Sequence, residues 1–232
     1  MHIADGILSG PVVLGGLVGS AGVAWFCLRR IGQRGNPHAG VPKAALLTAV
    51  FFVASLIHLP LPPAGVHLVL NGLLGVVLGW YAFPAILIGL FLQAVMFGHG
   101  GLTTIGVNGL ILGLPALLAW RLFLLGRPAA VGHRASATVT DHGGHGDQPA
   151  ASSGRMALAG SLAGGLAITA SLLLFVAALT LGLPAEFVQG AGRGAIITLL
   201  VAHLPLLVLE AGATGLLVAF LHRVKPQILD GT

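Results

Sequence analysis

"GVHLVLNGLLGVVLGWYAFPAILIGLFLQAVMFG", residues 65–98, decides the fold of this chain. It is longer than the ~20 apolar residues that one perpendicular membrane crossing needs, and short for two. "WYAFP" (80–84) stands near its middle, and Pro84 suits the first turn of a new helix. The run reads either as two short spans joined at that turn, or as one long span with a re-entrant piece. The distribution of positive charge favours two spans, as follows.

Apolar segments flank this run on both sides. They extend over about 7–28, 44–59, 66–80, 83–97, 104–125, 156–181 and 194–221. Seven crossings put the two termini on opposite sides of the membrane. All eleven Lys and Arg residues except Arg193 then fall on one side: Arg29, Arg30, Arg34, Lys43, Arg121, Arg127, Arg134, Arg155, Arg223 and Lys225. Short cytoplasmic loops carry the excess of basic residues, so that side is cytoplasmic. One span over 65–98 would invert everything downstream and scatter the charges. The expectation is an all-α polytopic membrane protein of seven transmembrane helices, with its N-terminus outside and its C-terminus inside.

Composition supports the class. The 232 residues are 56% hydrophobic and 7% charged, with a mean hydropathy of +0.99. A soluble domain carries roughly 25% charged residues. Thirty-six glycines predict closely packed helices, because small residues let membrane helices approach one another. Gly15 with Gly19, and Ser20 with Ala24, form small-residue faces on the first segment, for internal packing or for a partner helix. The lone Cys27 excludes a disulfide framework and a CxxC metal site. The pI near 10.7 reflects topology and not nucleic-acid binding. The chain reads as one membrane domain over 1–232, with a flexible cytoplasmic loop at about 126–155 that contains "DHGGHGDQPAASSG". His142 and His145 in that loop read as solvated.

Polar groups inside a bilayer are costly, so each needs an account. His67 and Asn71 stand four apart, the spacing of one helix face. His2, His58, His67, His99 and Asn108 collect at the outer side, where neutral imidazoles form a candidate metal site. His58 reads as a helix-end histidine bonded to a neighbouring carbonyl. Gln93, and His203 with Glu210, read as hydrogen bonds between helices.

"MHIADGILSG" (1–10) shows no basic leader region and no small-residue cleavage site, so Met1 is expected to keep a free amine. That amine, the next amide nitrogen and the His2 imidazole can form fused chelate rings around one ion. Three nitrogens in a plane suit Ni(II) or Cu(II), and His67 is the natural source of a fourth.

"MHIADGILS" (1–9), "VHLVLNGLLG" (66–75), "HGGLTTIGVN" (99–108) and "PLLVLEAGATGLLVAFL" (205–221) resemble the substrate-binding membrane component of energy-coupling-factor nickel and cobalt transporters, the NikM/CbiM family. The resemblance implies a multi-pass protein of the bacterial cytoplasmic membrane. It implies a metal held by the Met1 amine, the His2 amide and imidazole, and the His67 imidazole. Asp5, Asn71, His99 and Asn108 would support these ligands from behind. Asp5 reads equally as a helix N-cap.

The resemblance also implies a scaffold membrane protein (NikQ/CbiQ), a cytoplasmic ATPase (NikO/CbiO) and a small accessory membrane protein (NikN/CbiN). "AGVHLVLNG" (64–72) is closer to nickel-type than to cobalt-type members, so Ni(II) is the favoured cargo, Co(II) the alternative, with cobalamin synthesis as the cobalt destination. No resident cofactor is expected.

The chain lacks a GxxxxGK[ST] phosphate loop and an HExxH helix. It is therefore read as a transport component and not as an ATPase or an intramembrane metalloenzyme. A stand-alone metal permease is the remaining transport reading.

Overall fold

The computed structural model describes residues 2–59, 66–127, 150–183 and 191–229. Seven α-helices occur among the described residues: α1 (Gly10–Gly32), α2 (Val41–Leu56), α3 (Asn71–Leu78), α4 (Ala82–Phe97), α5 (Ile105–Gly126), α6 (Ala150–Gly182) and α7 (Ala191–Val224). Each matches one of the apolar segments. Besides them there is a two-residue antiparallel pairing, β1 (His58–Leu59) with β2 (Val66–His67), in which His58 faces His67. Helices dominate because backbone groups in lipid must be satisfied within the segment.

The run over 65–98 folds back on itself. Along α3, the Asn71 amide reaches the Leu112 carbonyl, Gly75 lies on Ala116 and Gly79 on Trp120, so α3 runs parallel to α5. Along α4, Phe83 meets Gly113 and Leu87 meets Gly109, so α4 runs antiparallel to α5. The two arms form a helical hairpin against one side of α5, and the break falls at Gly79–Tyr81. Gly79 has φ +58, a conformation that side-chain-bearing residues avoid. Pro84 lies in the first turn of α4, where its missing N–H costs nothing.

The two arms are unequal. Every residue of α3 is buried, and eight residues rise only ~12 Å, against a ~30 Å hydrocarbon core. Five stretches are long and apolar enough to cross a membrane among the described residues, counting Asn71–Phe97 as one; α2 is shorter. The expected helix over 66–70 is not formed. Those residues are extended and then turn through Leu70, the one non-glycine residue with positive φ (51°) among those described.

Around the hairpin, α1 packs on α5 through Gly16 and Gly19, and α6 pairs with α7 in antiparallel fashion, Gly160 on Val218 and Gly164 on Thr214. Gly15 faces open space, so the inward small residues of α1 are Gly16, Gly19 and Ser20 and not Gly15. Large apolar side chains such as Leu14, Val18, Val53, Leu173 and Val208 lie on the outside, as a lipid-facing surface requires. The start of α6 at Ala150 corrects the expected loop, whose last residues are helical; 128–149, with His142 and His145, lie outside the described residues.

The hairpin depends on backbone-to-backbone contact. A Cβ at Gly75 would stand 1.9 Å from the Ala116 carbonyl oxygen. Overpacking of this kind costs about 1–3 kcal/mol. Gly75→Ala should lower the thermal transition of the purified protein, read as thiol-dye labelling of the buried Cys27. Gly15→Ala should leave it unchanged. An unshifted Gly75→Ala transition contradicts the contact.

Candidate metal centre

The first residues of the chain are drawn into the bundle as a non-helical segment ahead of α1. Ile3 is 1% exposed. Its N–H donates to Asn108 Oδ1 at 2.9 Å, and its carbonyl accepts from Asn108 Nδ2 at 3.0 Å and Thr104 Oγ1 at 2.6 Å. One side-chain amide thus satisfies both backbone groups of a buried residue, as a neighbouring strand would. Asp5 lies two residues on. Its carboxylate accepts from the backbone N–H groups of Leu102 (3.1 Å), Thr103 (2.9 Å) and Thr104 (3.3 Å), and from the Thr103 hydroxyl. The Thr103 hydroxyl bond and these backbone bonds hold the Asp5 carboxyl below its ordinary range. Asp5 thus braces the N-terminal segment against the approach to α5. Ser9 N–H closes the other end on the Gly182 carbonyl at 3.1 Å.

His67 comes from the extended segment before α3. The expected shared helix face with Asn71 does not exist, because the αL turn at Leu70 intervenes. That turn has a partner on α7: the Glu210 carboxylate accepts from the Leu70 N–H at 2.9 and 3.0 Å, and from the Val69 N–H. The His67 Nδ1 lies 3.1 Å from the Leu68 carbonyl. A carbonyl only accepts, so Nδ1 carries the proton and Nε2 the lone pair.

His99 follows α4. Gly98, in the left-handed conformation, caps that helix, and the His99 N–H donates to the Gln93 carbonyl. Gly100 (φ +84) then passes close to the His2 side chain. The hairpin returns this segment to the end of the bundle where α3 began, so His67 and His99 meet.

Three imidazoles therefore converge. Ring centroids are 5.1 Å apart for His2–His67, 4.9 Å for His2–His99 and 4.9 Å for His67–His99. One nitrogen from each lies within 4.8 Å of the others, and the Nε2 atoms of His67 and His99 are 3.2 Å apart. Two nitrogens on one ion, at ~2 Å each, stand at most about 4 Å apart, so side-chain movements of under about 1 Å would close this group on a metal. Both ring nitrogens of His2 are buried without a hydrogen bond of normal geometry, with Gln93 as their neighbouring polar group, an arrangement that a bound ligand would relieve. Burial first, with repulsion from His67 and His99, holds the His2 imidazole well below its usual range and so neutral. Neutral imidazole is the ligating form.

The other candidates fall into place around this group. His99 stands level with His2 and His67 and not behind them. Asn108 and Asp5 hold the segment that carries His2. Asn71 commits its amide to the Leu112 carbonyl (3.0 Å) and the Ser171 hydroxyl (2.8 Å), bonds to α5 and α6. Gln93 bonds Ser55 between α4 and α2. His203 does not pair with Glu210; its Nδ1 bonds the Leu199 carbonyl of its own helix at 2.7 Å. Met1 lies outside the described residues. Glu210 makes the interhelical hydrogen bond expected of it, but with backbone N–H groups, a partner the sequence did not name. The one signal was its isolation as a carboxylate within an apolar span.

Residues 2–228 match the family described as the cobalt uptake substrate-specific transmembrane region, CbiM. The chain belongs to this family. It is a family of transport components and not of enzymes, and the chain is accordingly a multi-pass membrane protein.

Among relatives, a Haemophilus influenzae protein, whose name gives metal transport as a provisional role, is 43% identical over 124 residues, 53% of this chain and 57% of that one. The fused nickel transport protein NikMN of Rhodobacter capsulatus is 36% identical over 138 residues, 58% of this chain and 40% of that one. The chain thus spans about half the length of these two relatives. The cobalt transport protein CbiM of Sorangium cellulosum is 30% identical over 194 residues, 82% of this chain and 76% of that one. A solved structure of a transition metal transporter shares the fold at TM-score 0.66 and 20% identity, covering 97% of this chain and 93% of that one.

Two tests address the anchoring of the N-terminal segment. Asn108→Ala would leave the buried Ile3 N–H unpaired, at a cost of about 1–3 kcal/mol. A thermal transition that Asn108→Ala leaves in place would contradict the clamp. For Asp5, the folded-state pKa is lowered, so its contribution is present above the unfolded value near 3.9 and is lost as pH falls through the lowered one. The difference in transition temperature between the wild type and Asp5→Asn should be full near neutrality and vanish in strong acid. A difference that grows on acidification reverses the assigned sign.

Proposed function

We propose that this chain is the metal-capturing component of an ATP-driven energy-coupling-factor importer, with Ni(II) as the favoured cargo. The carrying observation is the convergence of His2, His67 and His99 from three separate segments at one end of the bundle. In this reading the Met1 amine, the His2 amide and imidazole, and His67 Nε2 hold the ion. His99 stands beside them, and Asp5 and Asn108 keep the N-terminal segment in place. An all-nitrogen donor set in one plane suits Ni(II). Co(II) is the second reading, favoured by the family description and the Sorangium relative.

The site faces outward and the basic end faces the cytoplasm. Arg29, Arg30 and Arg121 lie on the rings of Trp25, Trp80 and Trp120 at the hairpin turn, the end of the bundle remote from the histidines. This arrangement supports the reading in which the N-terminus lies outside and the C-terminus inside, with α1–α7 as seven membrane segments, of which α3 reaches only part-way. ATP hydrolysis belongs to a separate cytoplasmic subunit, joined through a scaffold membrane protein and accompanied by a small accessory one.

Calorimetric titration of the purified protein with Ni(II) and Co(II) tests the reading. His2→Ala, His67→Ala and one extra residue ahead of Met1 should each abolish high-affinity binding while Cys27 stays buried. His99→Ala should weaken binding less; a loss equal to that of His67→Ala makes His99 a direct ligand. Affinity that survives both His2→Ala and His67→Ala would sink the proposal.

A further inference from the structure

We infer that Glu210 is the positioning residue for His67, and that it ties helix α7 to the metal centre. This rests on the metal reading above and adds to it a residue that touches no metal. Glu210 is 1% exposed in the middle of an apolar helix, a costly position for a carboxylate. Its acceptors are turned on the two N–H groups that follow the His67–Leu68 pair, those of Val69 and Leu70.

Leu70 explains why such an anchor is needed. It holds a left-handed conformation, φ 51 and ψ 17, which is strained for a residue with a side chain. The turn redirects the chain from the extended His67 segment into α3. Without a partner for its N–H groups, it would leave two buried donors unpaired as well as strained. Glu210 removes the first penalty and holds the second in place. The segment cannot relax into a longer α3, which would rotate His67 away from His2 and His99.

The consequence is mechanical. His2 is fastened to α5 through Asn108 and Asp5, whereas His67 is fastened to α7 through Glu210. The metal centre therefore joins two bodies of the bundle, and a tilt of α7 that withdraws the carboxylate frees the Leu70 turn and takes His67 out of the donor set. Other polar groups near this anchor make their bonds elsewhere: His203 to Leu199, and Asn71 to Leu112 and Ser171.

The test compares wild type, Glu210→Gln, Glu210→Asp and His67→Ala in detergent or nanodiscs. Three readouts are taken: Ni(II) affinity, the ligand-field absorption of bound Ni(II), and thermal labelling of Cys27. Loss of a residue that orients a metal ligand typically costs roughly 10–100-fold in affinity. Glu210→Gln keeps one acceptor oxygen for the two N–H donors but sets an N–H₂ where Oε2 meets the Leu70 N–H, and should lose affinity in that range with a shifted absorption band. Glu210→Asp should fall between it and wild type. A merely structural role would lower the thermal transition and leave affinity and spectrum of the folded protein unchanged, and that result overturns the inference.

If Glu210→Gln does not fold, Glu210→Asp decides by the same two readouts. If neither folds, amide exchange in the wild type decides. Ni(II) should slow exchange at Val69 and Leu70 beyond the slowing along α7, and equal slowing overturns the link. Undiminished binding in His67→Ala overturns the metal reading itself. Loss there, with wild-type binding in the Glu210 variants, overturns this inference alone.

Discussion

The backbone of Ile3 cannot be buried among membrane helices unless something replaces the hydrogen bonds that water would make. Asn108 does so from both sides, with Thr104 on the carbonyl. That bond set fixes how deeply the start of the chain enters the bundle, and so where the His2 imidazole lies. Asp5 repeats the strategy in the opposite sense, a side chain of the N-terminal segment satisfying the backbone ahead of α5. "HGGLTTIGVN" is therefore one clamp: Leu102, Thr103 and Thr104 receive Asp5, Asn108 receives Ile3, and Gly100 leaves room for His2.

The other half of the site rests on the short hairpin α3–α4. A straight helix over 71–97 would carry His67 and His99 to opposite ends of the bundle. The fold-back at Gly79 brings them together, and Gly75, Gly109 and Gly113 let both arms lie directly on α5. Close packing takes the place of a hydrophobic driving force, which lipid-immersed helices lack. The result is a site assembled from three non-helical stretches at one end of the bundle, two held by a side chain from a helix elsewhere, Asn108 for His2 and Glu210 for His67, and the third, at His99, by the backbone cap of α4.

Much of this was legible in the residues. The seven apolar segments correspond to the seven helices of the described residues because hydropathy reports directly on burial in lipid. The turn at 79–81 was placed by "WYAFP" and by the charge count. His2 and His67 were singled out by chemistry and resemblance. The helix over 66–70 was not read correctly, because helical spacing of His67 and Asn71 says nothing about a left-handed residue between them. Leu70 has no local reason to take that conformation; Glu210, 140 residues away, supplies it. His99 was read as standing behind the ligands, since sequence order cannot report how far a hairpin arm returns.

The sequence by itself determined that this chain lives in a membrane, roughly where its apolar segments lie, and which of its polar residues lacked an ordinary structural excuse. Composition and periodicity are local, and the cost of polar groups in hydrocarbon does not depend on the partner eventually found. Only the tertiary structure decided which partner each polar group found: Asn108 with Ile3, Asp5 with the approach to α5, Glu210 with the Leu70 turn, and the three imidazoles with one another. Those pairings join residues up to 141 positions apart, and they follow from which helix lies against which.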